Sequence, residues 1–155
     1  MATGTHATRQ PIHQTLELKA WAQLGAAAAA ASIAGVLIVQ ALALVLWPEV
    51  ARFKPLDNYA RSALFTLVPA LGATFVFAQL SRRTANPVPA FVRIAAVVLL
   101  ASFIPDYLIP DPNKTWLAST VAAGLHLVAG LLTTGVLVAG YRHKTGRCAH
   151  TVGRG

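Results

Sequence analysis

The chain has 155 residues, of which 55% are hydrophobic and 12% charged, with a mean hydropathy of +0.57. Soluble domains carry about 25% charged residues, so this composition excludes an ordinary water-exposed globule. A net charge of +8 would raise nucleic acid as a partner in a soluble protein, but here the bases lie between and beyond long apolar runs, and the lone Cys148 excludes an internal disulfide.

The first apolar run covers about residues 20–47 and is free of charge from Gly25 to Leu46. Its charge-free core reaches about 33 Å as a helix, against a hydrocarbon core of about 30 Å. A cleaved signal peptide is disfavoured, since its apolar region is only about 7–15 residues long and starts near the N-terminus. The second run, about 61–80, lies between Arg61 and Ser81-Arg82-Arg83 and contains Pro69. Membrane helices tolerate an internal proline, so a kink near Thr66 is expected and a break is not. The third, about 90–109, carries Arg93 near its start and Pro105-Asp106 near its end; the fourth, about 115–141, has no formal charge and one strongly polar residue, His126. Residues 1–19 form an N-terminal segment and 142–155 a basic tail. Proline-containing links, Pro48 to Arg61, Ser81 to Pro89 and Pro110 to Lys114, join the spans. Links this short make sequential spans neighbours, which predicts an all-α membrane four-helix bundle running up-down-up-down.

Orientation follows from Lys and Arg, which are enriched in cytoplasmic loops. With four spans, the N-terminus, the second link and the C-terminus share one side. That side holds nine basic residues, including Arg82, Arg83, Arg93, Arg142 and Lys144, while Arg52, Lys54, Arg61 and Lys114 make four on the other. Four of the five acids divide the opposite way: Glu49, Asp57, Asp106 and Asp111. Both termini are therefore expected in the cytoplasm. Trp21, Trp47, Tyr59, Tyr107, Trp116 and Tyr141 fall near span ends, as an interfacial aromatic belt requires.

Few residues offer chemistry. His126 sits about 16 Å below the outer end of its span. Helical spacing puts it on one face with Ser119, Ala123, Gly130 and Thr133, opposite Val121, Leu125, Val128, Leu132 and Val136, so the small, polar side is expected to pack inward. An intramembrane histidine suggests a proton relay or ligand contact; its plain alternative is a neutral imidazole hydrogen-bonded across helices. Asp106, with Ser102 one turn deeper, is a second candidate, and the plain alternative is an interfacial residue capping the turn. Asp106 should lie about 10 Å above His126 by helical rise, so direct contact between them is not expected. Arg93 can snorkel to lipid headgroups, and Arg82, Arg83, Arg142 and Lys144 are read as headgroup contacts with it. Gln40 and Gln79 are expected to make interhelical hydrogen bonds. His143, Cys148 and His150 fall short of the four ligands of a structural zinc site. Haem with two axial histidines lacks its second intramembrane histidine, and no catalytic set or cofactor motif is present.

Ser102-Phe103-Ile104-Pro105-Asp106, followed by His126-Leu127-Val128-Ala129-Gly130, resembles the small four-span bacterial membrane proteins, common in actinobacteria, grouped as a domain of unknown function. The resemblance covers about residues 18 to 141. It implies a bacterial inner membrane and a four-helix bundle, and it carries no activity. Three function classes remain open. The leading one is a non-enzymatic accessory or scaffold protein, with the lipid bilayer and other membrane subunits or its own copies as partners and no cofactor. In that class Gly130→Leu should disrupt assembly. The second is a small transporter or proton-coupled channel using His126 and Asp106, and the third a membrane enzyme or redox carrier.

Overall fold

The computed structural model describes residues 16–152 apart from residue 109, and all its regular structure is helical. Four long helices run α1 Leu18–Leu46, α2 Tyr59–Arg83, α3 Pro87–Leu108 and α4 Trp116–Val152. Each is long and apolar enough to cross a membrane. Their limits follow from local chemistry. Pro48 disfavours helical backbone at Trp47 and so ends α1. Asn58 Oδ1 accepts from the Ala60 and Arg61 backbone N–H groups and caps α2. Pro87 opens α3 and Pro89 follows in its first turn, where a missing N–H forfeits no hydrogen bond within the helix. Thr115 Oγ1 accepts from Ala118 N at 3.0 Å and caps α4. α2 stays continuous through Pro69, and α4 runs on beyond the expected end at Tyr141 to Val152.

α1 is the central helix, packed along α2 and α4, and α3 rests mainly on α4. At the α1–α4 crossing a Cβ on Gly35 would collide with the Leu132 side chain, and one on Gly140 with Leu24. Glycine there lets the two backbones approach, as small residues do in membrane helix pairs. Ser32 Oγ and Thr133 Oγ1 meet at 2.7 Å across the same crossing.

Each end of the bundle is filled by its own cluster. At one end a ring comes from every helix: Trp21 stands edge-on to Phe77, Phe77 stacks on Phe91 at 4.4 Å, and Tyr141 closes against Trp21 and Phe77. Trp21 is thus buried in the core rather than lying in a lipid-facing belt. At the other end the α1–α2 link folds into two short 3-10 helices, Pro48–Arg52 and Lys54–Leu56. Val50, Phe53 and Leu56, spaced every third residue, all point inward and plug the bundle against Val36, Ala118, Ala122 and Leu125. Gln40 Nε2 donates to Leu56 O at 3.0 Å and pins this plug, so its hydrogen bond goes to a loop and not to another span.

Outside these clusters the surface is apolar. No more than 28% of the most hydrophobic stretch of any helix is buried, and in α3 only 11%. Apolar surface on that scale is stable against lipid tails and not against water.

Candidate functional site

The last four carbonyls of a helix have no partner within it. In α3 two of them are claimed from α4 and its lead-in: Ser119 Oγ donates to Asp106 O at 2.8 Å, and Lys114 Nζ donates to Tyr107 O at 3.0 Å. These bonds hold the end of α3 against the start of α4 and set the depth of the Asp106 side chain. That carboxyl is 6% exposed, and its Oδ2 lies 3.4 Å from His126 Nε2. Oδ2 has no hydrogen-bond partner in the structure.

The contact between Asp106 and His126 corrects the separation expected from helical rise alone. Cα–Cβ bonds lean toward the N-terminus of their own helix. Asp106 near the end of α3 therefore leans back along the span, and His126 leans toward the start of α4. The two side chains close the gap that their backbones leave. With the imidazole protonated the contact is an ion pair. His126 remains 42% exposed on its side chain, along the seam between α3 and α4. Ser102 does not join them, because its hydroxyl donates to Leu99 O within α3 at 2.7 Å.

The faces of α4 also differ from the expected division. Ser119 and Thr133 are buried, Ala123 and Gly130 are half-buried, and a Cβ on Gly130 would press on Leu99 of α3 at 3.1 Å. Leu125 is buried too, Val121 and Val128 pack on the plug cluster, and Val136 packs on the ring cluster. Two adjoining stripes are therefore covered, one by α1 and one by α3. The free face is instead Thr120, Leu127, Leu131, Gly135 and Ala139. Gly130 accordingly serves packing within the chain, and Gly130→Leu would strike the α3–α4 contact before any assembly surface.

The model of the Family of unknown function (DUF6069) matches residues 15–143. The chain belongs to that family. No curated protein and no solved structure matches it. In this DUF6069 chain the match takes in α1, α2 and α3 whole, together with α4 as far as His143, and so both Asp106 and His126.

Of the basic residues read as headgroup contacts, Arg82, Arg83, Arg93 and Arg142 are exposed, while Lys144 Nζ donates to Gln23 Oε1 at 3.2 Å. His143 is exposed; the side chains of Cys148 and His150, like His6 and His13, lie outside the described residues. Several spanning hydroxyls are spent within their own helices, Thr66 on Ser62 O and Thr74 on Ala70 O among them. That pattern satisfies polar groups where no water is present. The plug and a cleft at the α3–α4 turn are the features that sequence reasoning missed. The signal for the plug was the three-residue spacing of Val50, Phe53 and Leu56.

Proposed function

We propose that this protein is a non-enzymatic integral membrane protein of a bacterial inner membrane, working as an accessory or scaffold subunit in a larger complex or with its own copies. Its helices cross in alternating directions, with both termini in the cytoplasm. The filled interior carries this reading. The cavity behind the plug, lined by Gln40, Ala43, Leu44, Val50, Leu56 and Val121, has no room for a water molecule. The ring cluster closes the other end, and the outer faces are broad and apolar. Such a bundle offers surfaces to neighbours and no passage to a solute. The basic residues, nine to four across the two sides, favour the cytoplasmic termini.

The test is to extract the protein gently from its native membrane and measure its mass and composition. A fixed stoichiometry with another subunit or with itself is the expected result. Gly124→Leu and Gly135→Leu, at positions where an added Cβ meets nothing within 4 Å, should weaken assembly while leaving the monomer folded. A lone monomer whose extraction and behaviour ignore both changes sinks the proposal.

One observation favours a second reading. A buried carboxylate with a free oxygen beside a half-exposed imidazole is an arrangement that proton-coupled carriers use. In that case reconstituted vesicles would show a proton-linked flux that Asp106→Asn and His126→Ala both abolish. Flux that neither change alters removes this pair from the argument.

A further inference from the structure

Where α3 gives way to α4, a cleft of about 300 Å³ opens between Tyr107, Lys114, Thr115, Trp116 and Ser119. We propose that it binds the phosphate of an anionic ligand, either the headgroup of an anionic phospholipid or free inorganic phosphate. The donors are accounted for one by one. An ammonium has three N–H groups; Lys114 spends one on Tyr107 O and has no carboxylate within 4 Å among the described residues. Thr115 Oγ1 accepts from Ala118 N, which leaves its own O–H to donate. Ser119 donates to Asp106 O and contributes only lone pairs to the wall. The acid of the same turn, Asp111, accepts from Asn113 N through Oδ1. The Tyr107 O–H and the Trp116 indole N–H make no hydrogen bond among the described residues, so the open donors of the cleft are one cationic group and neutral O–H and N–H groups, the complement of a phosphate oxygen.

The walls suit a ligand that is half apolar. Tyr107 and Trp116 pair at 5.6 Å between ring centres, and Trp116 is 81% exposed. Aromatic rings of this kind settle at headgroup depth, with one edge in lipid and the other in water. They would flank a glycerol backbone while Lys114 holds the phosphate. The site needs only that the α3–α4 turn lies at a bilayer surface, so it stands whether or not the accessory role does.

The experiment uses the full chain in detergent micelles. Phosphatidylglycerol, diacylglycerol and inorganic phosphate are each titrated, and retained ligand is counted by native mass spectrometry. Wild type should hold phosphatidylglycerol with an affinity that K114A lowers about fivefold or more and K114R restores, with circular dichroism unchanged. Retention that excess inorganic phosphate leaves intact assigns the cleft to the lipid. Displacement by phosphate, together with phosphate binding that K114A abolishes, assigns it to the free anion. Diacylglycerol retained as well as phosphatidylglycerol, or K114A behaving as wild type with both phosphate ligands, overturns the proposal.

Discussion

Phe53→Ala tests whether the α1–α2 link is a structural plug or a passive connector. Phe53 is fully buried, enclosed by Val36, Val50, Leu56, Ala118, Ala122 and Leu125. Truncating a buried phenylalanine costs about 3–5 kcal/mol through lost transfer free energy and the cavity left behind. The full transfer contribution applies here, because an undocked link at a span end meets water rather than lipid tails. Phe53→Leu, which keeps most of the volume, should cost about 1.5 kcal/mol or less. Phe65→Ala on the exposed face of α2 should stay within about 0.5 kcal/mol. Reversible unfolding by a denaturing detergent in mixed micelles, followed by far-ultraviolet circular dichroism, measures all three. Equal losses at Phe53 and Phe65, or a change under about 1 kcal/mol for Phe53→Ala, would refute the claim that this link seals the bundle.

Other expectations are read the same way. A double-mutant cycle on Ser32→Ala and Thr133→Val should return a coupling of about 0.6 kcal/mol, and no more than about 1.7, for their hydrogen bond across α1 and α4. Gly35→Leu should cost about 3 kcal/mol or prevent folding, since its side chain would occupy the place of Leu132; a stable variant would show that the helices do not approach as described. With Cys148→Ser as background, Lys114→Cys should react in intact cells with a membrane-impermeant maleimide, whereas Thr84→Cys should react only after lysis. The reverse pattern would turn the proposed orientation over. Leu99→Ala, which trims a half-buried side chain over Gly130, should destabilise by about 1 kcal/mol in the same unfolding assay; a negligible change would mean that α3 does not depend on this contact.

The four helices were legible because long charge-free runs admit little else, and the proline-rich links marked the ends they adjoin to within a few residues, whereas α4, with no proline after it, runs well past Tyr141. Depth and facing were less so. Counting rise per residue separated Asp106 from His126, because it followed backbones and ignored the opposed lean of side chains at facing helix ends. The sidedness of α4 was misjudged for a related reason. Polarity picked out Ser119, His126 and Gly130, which meet α3, and Thr133, which meets α1, but α1 also covers the neighbouring apolar stripe, and in lipid an apolar residue gives no sign of whether it faces protein or solvent. Val50, Phe53 and Leu56 were hidden among Glu49, Arg52, Lys54 and Asp57, so the link read as polar. Trp21 read as interfacial by its position, and only its two ring partners, Phe77 and Tyr141, reveal that it turns inward.

The fastening of α3 at its two ends bears on how the chain is made. Phe91 secures one end by stacking on Phe77, which is synthesised earlier, whereas Asp106 depends on Ser119 and His126, which follow it from the ribosome. During elongation the third helix would enter the bilayer with its acid unmatched, at a cost of about 2.5–3.5 kcal/mol if it reached the centre. Released chains truncated before Ser119 should therefore expose residue 106 to water-soluble reagents, and the full chain should hide it. The fourth helix would then act as the partner that commits the third to the membrane, with the order of translation setting the order of assembly.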